Sequence, residues 1–456
     1  MPLRILCFGI VTSLCLAATP LAAEPAAPAA EADVVRSRDD RIEDLERKLE
    51  LVTEELARVR DQVAVPEETD LKASYGLGPA ASKVYGIDRG LSIGGYGEWF
   101  YRNFVGDSGS GSDSVDGVSI SDQQLDRADA LRLVLYMGYK FTENIVFNSE
   151  IEFEHALIGE GTPSSGSGEV RVEFAALDFF YKDWLNARAG LVLLPMGFIN
   201  EVHEPPFYYG VSRPETETRI IPSTLSEMGA GLFGNLGESV QYRAYVVNGF
   251  NARGFSDAGI RDGRQDGNRA LAEDVAFVGR LDWTPAPEWL IGGSFYYGDT
   301  GQDQELGDVD VPDAALTVVE GHLQWRYDQW QARALFAYNQ LSDARDLNVA
   351  LMRPRNRPIA EKMLGGYVEL AYDVWPDLFD SFDRSLSPFV RLEYVDTQYD
   401  VPSGYEQNRR NSYWLFTPGI QFKPHPNVAL KLEYRNFDPR EGERPDELSF
   451  GMGFAF

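Results

Sequence analysis

The sequence predicts an all-β protein, a 16-stranded antiparallel transmembrane β-barrel that follows a short N-terminal α-helical coiled coil. Three observations lead to this fold class. The C-terminal segment alternates completely between large apolar and small residues. Segments with the same period of two recur from residue 91 onward. Short and long connections between these segments alternate along the chain, as in barrels that cross a membrane.

The C-terminal segment, residues 447–456, shows the alternation most clearly. Its large apolar side chains all fall on one face: Leu448, Phe450, Met452, Phe454 and Phe456. A strand in lipid turns such a face outward, and both of its edges must be paired because lipid offers no hydrogen bonds. We therefore expect this segment to close a barrel by pairing with the first strand.

Composition excludes several classes of protein. The mean hydropathy of -0.29 is too polar for a helical membrane protein, and the longest later apolar run, residues 189–199, is too short to span as a helix. The net charge of -29 argues against a nucleic-acid partner, which requires a basic surface. Both cysteines, Cys7 and Cys15, precede residue 24, so an exported form cleaved there has no thiol for a disulfide or a zinc site.

The N-terminal region predicts export. Residues 1–23 have the layout of a signal peptide: Arg4, an apolar core and a small-residue cleavage site after Ala23. A Pro/Ala-rich linker, residues 24–41, follows.

Residues 42–65 show the spacing of a periplasmic coiled coil. Apolar residues recur at intervals of three and four: Ile42, Leu45, Leu49, Val52, Leu56, Val59 and Val63. Leucine at one core position and valine at the other disfavours a parallel dimer, so a homotrimer is expected. The alternative is an amphipathic helix that lies on its own protein. Residues 66–90 are predicted to be a second linker.

The barrel is predicted to occupy residues 91–456. The alternating segments are 91–104, 128–141, 144–156, 168–181, 185–194, 226–235, 238–250, 273–284, 288–299, 315–327, 330–341, 363–374, 386–398, 411–423, 427–437 and 447–456. Six tryptophans lie at or beside the short turns, as an aromatic girdle at one membrane interface requires: Trp184, Trp283, Trp289, Trp325, Trp330 and Trp375.

Several of these features together resemble the porin O and P family, the phosphate-selective porins. They are the signal peptide, the coiled coil, Leu-Ser-Ile-Gly-Gly-Tyr-Gly at 91–97, Gly-Leu-Val-Leu-Leu-Pro-Met-Gly at 190–197, and the terminal Phe456. The resemblance implies a trimeric outer-membrane pore that contacts membrane lipid and lipopolysaccharide and passes small hydrophilic solutes. By itself it does not imply phosphate.

The face opposite the apolar face carries equal numbers of bases and acids. The predicted pore-lining bases are Arg132, Arg171, Arg188, Arg243, Arg280, Arg326, Arg391, Lys431 and Arg435. The acids are Glu150, Glu152, Glu154, Glu173, Asp282, Glu320, Glu369, Glu393 and Glu433. The arginines either attract anions at close range or pair with the acids of neighbouring strands, and the sequence does not choose between these readings.

The longest interruption of the barrel pattern, residues 195–226, is predicted to be a constriction loop. Its charged residues are Glu201, His203, Glu204, Arg213, Glu215, Glu217 and Arg219. By resemblance the loop folds into the pore. Glu201 and Glu204 are expected to face Arg188, Arg243 and Arg280 and to create a transverse field. Acids are as common as bases here, so the preferred ion could have either sign.

The remaining motifs are weak. Residues 229–234 fit GxGxxG, but no βαβ unit surrounds them. Residues 262–273 have acids at the spacing of a calcium loop, but Arg264 stands at a ligand position. With no catalytic constellation, the expected function is passive diffusion, without enzyme activity, cofactor or metal. The alternative is a non-conducting structural or adhesive barrel.

Overall fold

The computed structural model describes residues 43, 45–53, 71–105, 113–115, 118–120, 126–156, 168–379 and 384–456. The predicted signal peptide and first linker lie outside these residues, as does much of the predicted coiled coil. Contacts divide the chain into two units, residues 1–59 and 60–456. In the first unit, residues 45–53 are α-helical, and Leu45, Leu49 and Val52 are more than half exposed.

The second unit is a closed barrel of sixteen antiparallel strands. They are β1 (Gly90–Val105), β2 (Arg127–Thr142), β3 (Ile145–Glu154), β4 (Glu169–Lys182), β5 (Leu185–Leu193), β6 (Ser226–Leu236), β7 (Val240–Asn248), β8 (Val275–Trp283), β9 (Trp289–Gly298), β10 (Leu316–Tyr327), β11 (Trp330–Leu341), β12 (Lys362–Tyr372), β13 (Ser385–Asp400), β14 (Ser412–His425), β15 (Val428–Pro439) and β16 (Asp446–Ala455). Each strand pairs with its neighbours in sequence. The predicted fold class is confirmed.

The barrel closes where β16 meets β1. Tyr96 lies opposite Ala455, and the backbone N–H groups of Gly95 and Phe456 each donate to the other residue's carbonyl oxygen at 3.0 and 2.8 Å. The last strand therefore has no open edge. Its outward residue Phe450 is 50% exposed, whereas the inward Ser449 is fully buried, as the alternation predicts.

Short turns and long connections lie at opposite ends of the barrel. Two-residue turns such as 143–144 and 328–329 alternate with connections that carry small elements of their own. These elements are hairpins at Asp113–Val115 with Val118–Ile120 and at Glu305–Leu306 with Val309–Asp310, the helix Ala344–Ala350, and single helical turns at Ala252–Gly254, Arg261–Gly263 and Arg409–Asn411. The helix Trp375–Phe379 lies in the one long connection at the short-turn end.

Aromatic side chains cluster at the short-turn end. The Trp289 and Trp325 rings lie 6.2 Å apart, and Trp330 packs on Tyr372 at 4.6 Å. Such rings are suited to the boundary between lipid and water. Among the described residues, no helix has the length and apolar character needed to cross a membrane.

Candidate functional site

The loop between β5 and β6, residues 194–225, folds into the barrel and is called the lumen loop below. It contains short helical turns at Pro205–Phe207 and Thr216–Ile220. Its backbone reaches the far wall, where Lys431 Nζ on β15 donates to Gly210 O at 2.8 Å and Asn339 Nδ2 on β11 donates to Ile220 O at 2.8 Å. A single segment thus crosses the interior from one wall to the other.

The small inward residues of β16 make room for this loop. A Cβ at Gly453 would lie 2.3 Å from Pro205 Cβ, and a Cβ at Gly451 would lie 2.9 Å from Val211 Cγ1. The alternation of large and small residues in the last strand therefore determines how both faces of the strand pack. Large side chains face outward, and the absence of inward side chains lets the loop pack against the wall.

A second segment, residues 71–89, also packs inside the barrel and is called the inner segment. It carries the helical turn Lys83–Gly86 at the end where β1 begins. Tyr85 OH donates to Asp178 Oδ2 at 2.6 Å, and Asn148 Nδ2 donates to Ala81 O at 2.8 Å. The sequence predicted only a linker for residues 66–90, because the segment is short and lacks a strong period.

Most of the charged wall residues form ion pairs, either between neighbouring strands or, for Arg280 with Asp282 and Arg391 with Glu393, within one strand. The pairs are Arg132 with Glu98 and Glu152 (2.8 and 3.2 Å), Arg188 with Asp178 (2.7 Å), Arg280 with Asp282 (2.8 Å), Arg391 with Glu393 and Glu369 (2.7 and 3.2 Å), and Arg435 with Glu447 (2.9 Å). This geometry agrees with the second of the two readings of the wall charges. Because these carboxylates and guanidinium groups are buried, each leaves a costly charge if its partner is removed.

Two acids of the lumen loop, Glu201 and Glu204, have different kinds of partner. Glu201 lies 3.5 Å from Arg243 and 3.7 Å from Arg280, as expected, but Arg188 pairs with Asp178. Glu204 accepts hydrogen bonds from the backbone of the inner segment, from Ala80 N at 2.9 Å and Ala81 N at 3.2 Å. The lumen loop is therefore held by wall arginines on one side and by the inner segment on the other.

Glu215 is the loop acid most strongly surrounded by positive charge. Burial alone raises its pKa, but Arg435, Arg444 and Arg219 outweigh burial and hold the pKa well below its ordinary value. Tyr413 OH also donates to Glu215 Oε2 at 2.8 Å. Glu215 thus ties the second half of the lumen loop to Tyr413 on β14 and Arg435 on β15.

Three arginines, Arg213, Arg261 and Arg264, form what we call the arginine cluster. Arg261 and Arg264 both donate from Nη1 to Ser223 O at 2.9 Å. Burial lowers the pKa of Arg261, and the charges of Arg264 and Arg213 lower it further. Arg213 Nη2 is buried and has no hydrogen-bond partner. This side of the lumen therefore carries positive charge that the protein does not fully neutralise.

A cavity of about 220 Å³ opens beyond the lumen loop, on the side of the long connections. Its lining includes Arg219, Arg357, Arg410 and Arg444, together with the acids Asp257 and Glu441. Polar groups of both signs face this space, which suits a water-filled entrance.

The structure brings most of the predicted site residues inside the barrel. Buried there are Arg188, Arg243, Arg280, Arg391, Lys431, Arg435, Glu150, Glu152, Glu173, Glu369, Glu393, Glu201, His203, Glu204 and Glu215. Arg132, Arg171, Arg213 and Arg219 are partly buried, and Arg326 is exposed near a short turn. Sequence reasoning missed Glu98, Asp178, Arg261, Arg264 and Arg333. Arg261 and Arg264 lie in a loop, which has no periodic pattern in the sequence. Glu98, Asp178 and Arg333 lie in strands, and their partners can be identified only when the register of the strands is known.

The two weak motifs of the sequence have structural explanations. Residues 229–234 lie within β6, whose Gly229 and Gly231 leave no space for a Cβ against β7. In the segment 262–273, Asp266 Oδ1 accepts from Arg171 Nη2 at 2.6 Å, and Arg264 binds backbone carbonyls.

Comparison with known proteins identifies the family. Residues 228–455 match the model of the family described as "Putative beta-barrel porin-2, OmpL-like" (BBP2). A protein of Aquifex aeolicus (strain VF5), described as "Uncharacterized protein", is 37% identical over 409 residues, which are 88% of this chain and 87% of that one. The chain belongs to the BBP2 family. The expectation of an outer-membrane porin is confirmed. The matching family is BBP2, and the porin O and P family is not confirmed.

One solved porin structure supports the fold. The OmpF porin of Salmonella typhi, in complex with daunomycin, is 12% identical, with a TM-score of 0.52 over 81% of this chain and 98% of that chain. The outer membrane channel DcaP of Acinetobacter baumannii is 14% identical, with a TM-score of 0.49 over 80% and 97%. The family points to a porin channel in the bacterial outer membrane.

Proposed function

We propose that this BBP2 protein gives passive diffusion of small hydrophilic solutes and favours small anions such as phosphate. The observation that carries the proposal is the arginine cluster. Arg213 forms no ion pair with any described carboxylate, and its buried Nη2 has no hydrogen-bond partner. A small anion in the lumen would meet guanidinium donors there and would gain from a positive charge that the protein leaves uncompensated.

Buried acids near the arginine cluster add a local field to this preference. They are Glu150, Glu152 and Glu173, with 1% exposure or less. A dipolar solute would be oriented between these acids and the arginines. Preference for phosphate itself has one further support, the resemblance of the sequence to the phosphate-selective porins.

A second candidate is a non-conducting structural or adhesive barrel. The inner segment and the lumen loop both pack on the inner wall, and wall residues such as Glu150 and Glu393 have no exposed surface. A channel therefore requires a path beside these segments, and an adhesive barrel does not.

Planar bilayers separate the two candidates. Purified protein should give conductance steps, and in a salt gradient the reversal potential should indicate anions. Arg213→Ala should move the reversal potential towards cations, because it removes the uncompensated charge. Arg345→Ala, an exposed arginine outside the barrel wall, is the matched control. Absence of steps at every voltage would support the non-conducting barrel.

We further propose the finer arrangement in the membrane. The exposed apolar band, including Phe277, Phe295 and Phe336, would contact lipid and lipopolysaccharide. Residues 42–65 would form a periplasmic coiled coil of three chains, since Leu45 and Leu49 are exposed in the single chain. Cross-linking of the intact protein should yield trimers, and deletion of residues 42–65 should reduce them. Monomer alone would contradict this arrangement.

A further inference from the structure

We propose that Glu150, Glu173 and His203 bind a divalent transition-metal cation, of which Zn²⁺ is the probe. These three residues, the histidine–glutamate cluster, join β3 and β4 of the wall to the lumen loop. Their ligand atoms all lie within 4.8 Å of one another. The inference does not depend on whether the barrel conducts.

The distances in the cluster fit a tetrahedral metal ion. His203 Nε2 lies 3.1 Å from Glu150 Oε1 and 3.4 Å from Glu173 Oε2. Two ligands bound at about 2.0–2.1 Å to tetrahedral zinc are about 3.3 Å apart. Two of the three edges of such a site are therefore already formed.

The imidazole of His203 is oriented for this role. Its Nδ1 lies 3.1 Å from Asn200 O, and because a carbonyl oxygen only accepts, Nδ1 carries the hydrogen. A histidine that binds a metal typically donates its other N–H to a backbone carbonyl in this way. Nε2 then faces two carboxylate oxygens, so a cation must lie between them, either a proton or a metal ion.

Apart from His203, the two carboxylates have no partner among the described residues that is a cation, and Glu173 lies against the carboxyl group of Glu152. Glu150 Oε2 and both oxygens of Glu173 accept no hydrogen bond, although these residues are 0% and 1% exposed. Among the described arginines and lysines, none forms an ion pair with either residue. Buried carboxylates without donors are costly, and one divalent cation would neutralise both.

A β-bulge aims Glu173 at the cluster. Glu150 on β3 lies opposite Phe174, but the next residue, Ile151, lies opposite Val172. Glu173 is therefore the extra residue of β4, and both Glu173 and Phe174 are buried. Bulges of this kind commonly redirect a side chain towards a functional site.

The ligand chemistry indicates the class of metal. One imidazole nitrogen and two carboxylate oxygens suit Zn²⁺ or Mn²⁺, whereas Ca²⁺ prefers six to eight oxygens and Mg²⁺ keeps most of its waters. Three protein ligands leave a fourth position for water, since the nearby Glu152 uses its Oε1 to pair with Arg132 at 3.2 Å.

Metal content of the purified protein tests the proposal. The full chain is stripped with a chelator and then loaded with Zn²⁺ in two ways, when folded and during refolding, because the three side chains are almost fully buried. After gel filtration, elemental mass spectrometry should find one Zn²⁺ per chain. Mg²⁺ at the same concentration should not be retained.

Two substitutions locate the ion. His203→Gln and Glu173→Gln should each weaken Zn²⁺ binding by about 100-fold or more, beyond the usual cost of losing an outer partner. His322→Gln is the matched control, since His322 is also buried between carboxylates but has Arg280 beside it. Circular dichroism checks that each variant keeps its strands.

Replacing Zn²⁺ with Co²⁺ gives an independent readout. The visible absorption of bound Co²⁺ should indicate a tetrahedral site with nitrogen and oxygen ligands, and it should vanish in His203→Gln. Zinc-free protein after both loading routes would overturn the proposal and leave a proton as the occupant. Zn²⁺ affinity in both variants equal to that of the unchanged protein would overturn it as well. Neither result involves conductance, so failure here is distinct from failure of the proposed channel function.

Discussion

The barrel contains two buried histidines that sit between carboxylates, and they differ in how their charge is balanced. His322 Nε2 lies 2.9 Å from Asp282 Oδ1, and its Nδ1 lies 3.0 Å from Glu320 Oε2. Arg243 and Arg280 both pair with the same Asp282. At His203, in the histidine–glutamate cluster, no described arginine forms an ion pair with either of the two carboxylates.

The difference shows what a buried carboxylate requires. At His322, two fixed cations and a network of hydrogen bonds offset the cost of desolvation. At His203 the two carboxylates pair only with the imidazole, and the proposed metal ion would supply the remaining positive charge. The site at His322 therefore has a structural role, whereas the proposed site at His203 would bind an exchangeable metal ion.

Removal of a fixed cation should have the largest effect. Arg280→Ala leaves Asp282 and Glu201 with weaker compensation inside the barrel, so we expect a loss of about 3–5 kcal/mol in the free energy of unfolding. Urea titration of the protein in lipid, followed by tryptophan fluorescence, measures it. The exposed Arg345→Ala should stay within about 0.5 kcal/mol of the unchanged protein. A similar small loss for Arg280→Ala would remove the distinction between the two sites.

Removal of the metal should have the next largest effect. Zn²⁺ at 100 times its dissociation constant should stabilise the folded chain by about 2.7 kcal/mol, because the ion binds the folded state. Adding excess chelator should abolish the gain. In His203→Gln the zinc-dependent gain should be absent, whereas in His322→Gln it should persist. A gain of equal size in both variants would place the zinc elsewhere.

Neutralising one acid at each site should change the free energy of unfolding of metal-free protein in opposite directions. Glu173→Gln removes a buried charge that accepts no hydrogen bond, so we expect a gain of about 1 kcal/mol. Asp282→Asn removes the partner of two arginines and should destabilise the chain. Unfolding in the presence of chelator measures both. Destabilisation by Glu173→Gln would mean that the wall already compensates its charge.

The smallest effect is expected at Tyr96, whose ring lies 5.9 Å from that of His203. The buried Tyr96 hydroxyl has no hydrogen-bond partner, so Tyr96→Phe should change the stability of metal-free protein by less than about 0.5 kcal/mol. A larger loss, measured by the same titration, would reveal a bond from this hydroxyl to the cluster and would make the two histidine sites more alike.

Two substitutions near His322, one of an acid and one of a base, test the ion selectivity of the channel. Glu201 lies within 4 Å of both Arg243 and Arg280. Glu201→Gln should shift the reversal potential towards anions, and Arg243→Ala should shift it towards cations, because each removes one end of the same local field. If neither variant shifts the potential, the lumen loop does not control the ion path.

The sequence predicts the wall better than the contents of the lumen. All sixteen strands were placed within a few residues, because a period of two and turn residues are local signals. The inner segment was predicted as a linker, since nothing in residues 71–89 shows that a barrel will surround them. Arg261 and Arg264 were missed for the same reason, because they lie in a loop without periodicity.

The site shows the same division. Glu150, Glu173 and His203 were all predicted to face the lumen, but as separate pore-lining and loop residues without a metal. The bulge at Glu173 and the path of the lumen loop bring them together. Asp178 was missed because the bulge shifts the inward positions of β4 from odd to even numbers.

By itself, the sequence determined the all-β class, the number of strands, the outward apolar face and the alternation of turns and loops. Each depends on neighbours along the chain, whose side chains point to opposite faces by the geometry of a strand. Only the tertiary structure decided which wall charges pair, which segments enter the lumen, and that His203 meets two glutamates without an arginine. These depend on register, a single bulge and the course of a 32-residue loop across the barrel, because contacts between distant residues leave no local period in the sequence.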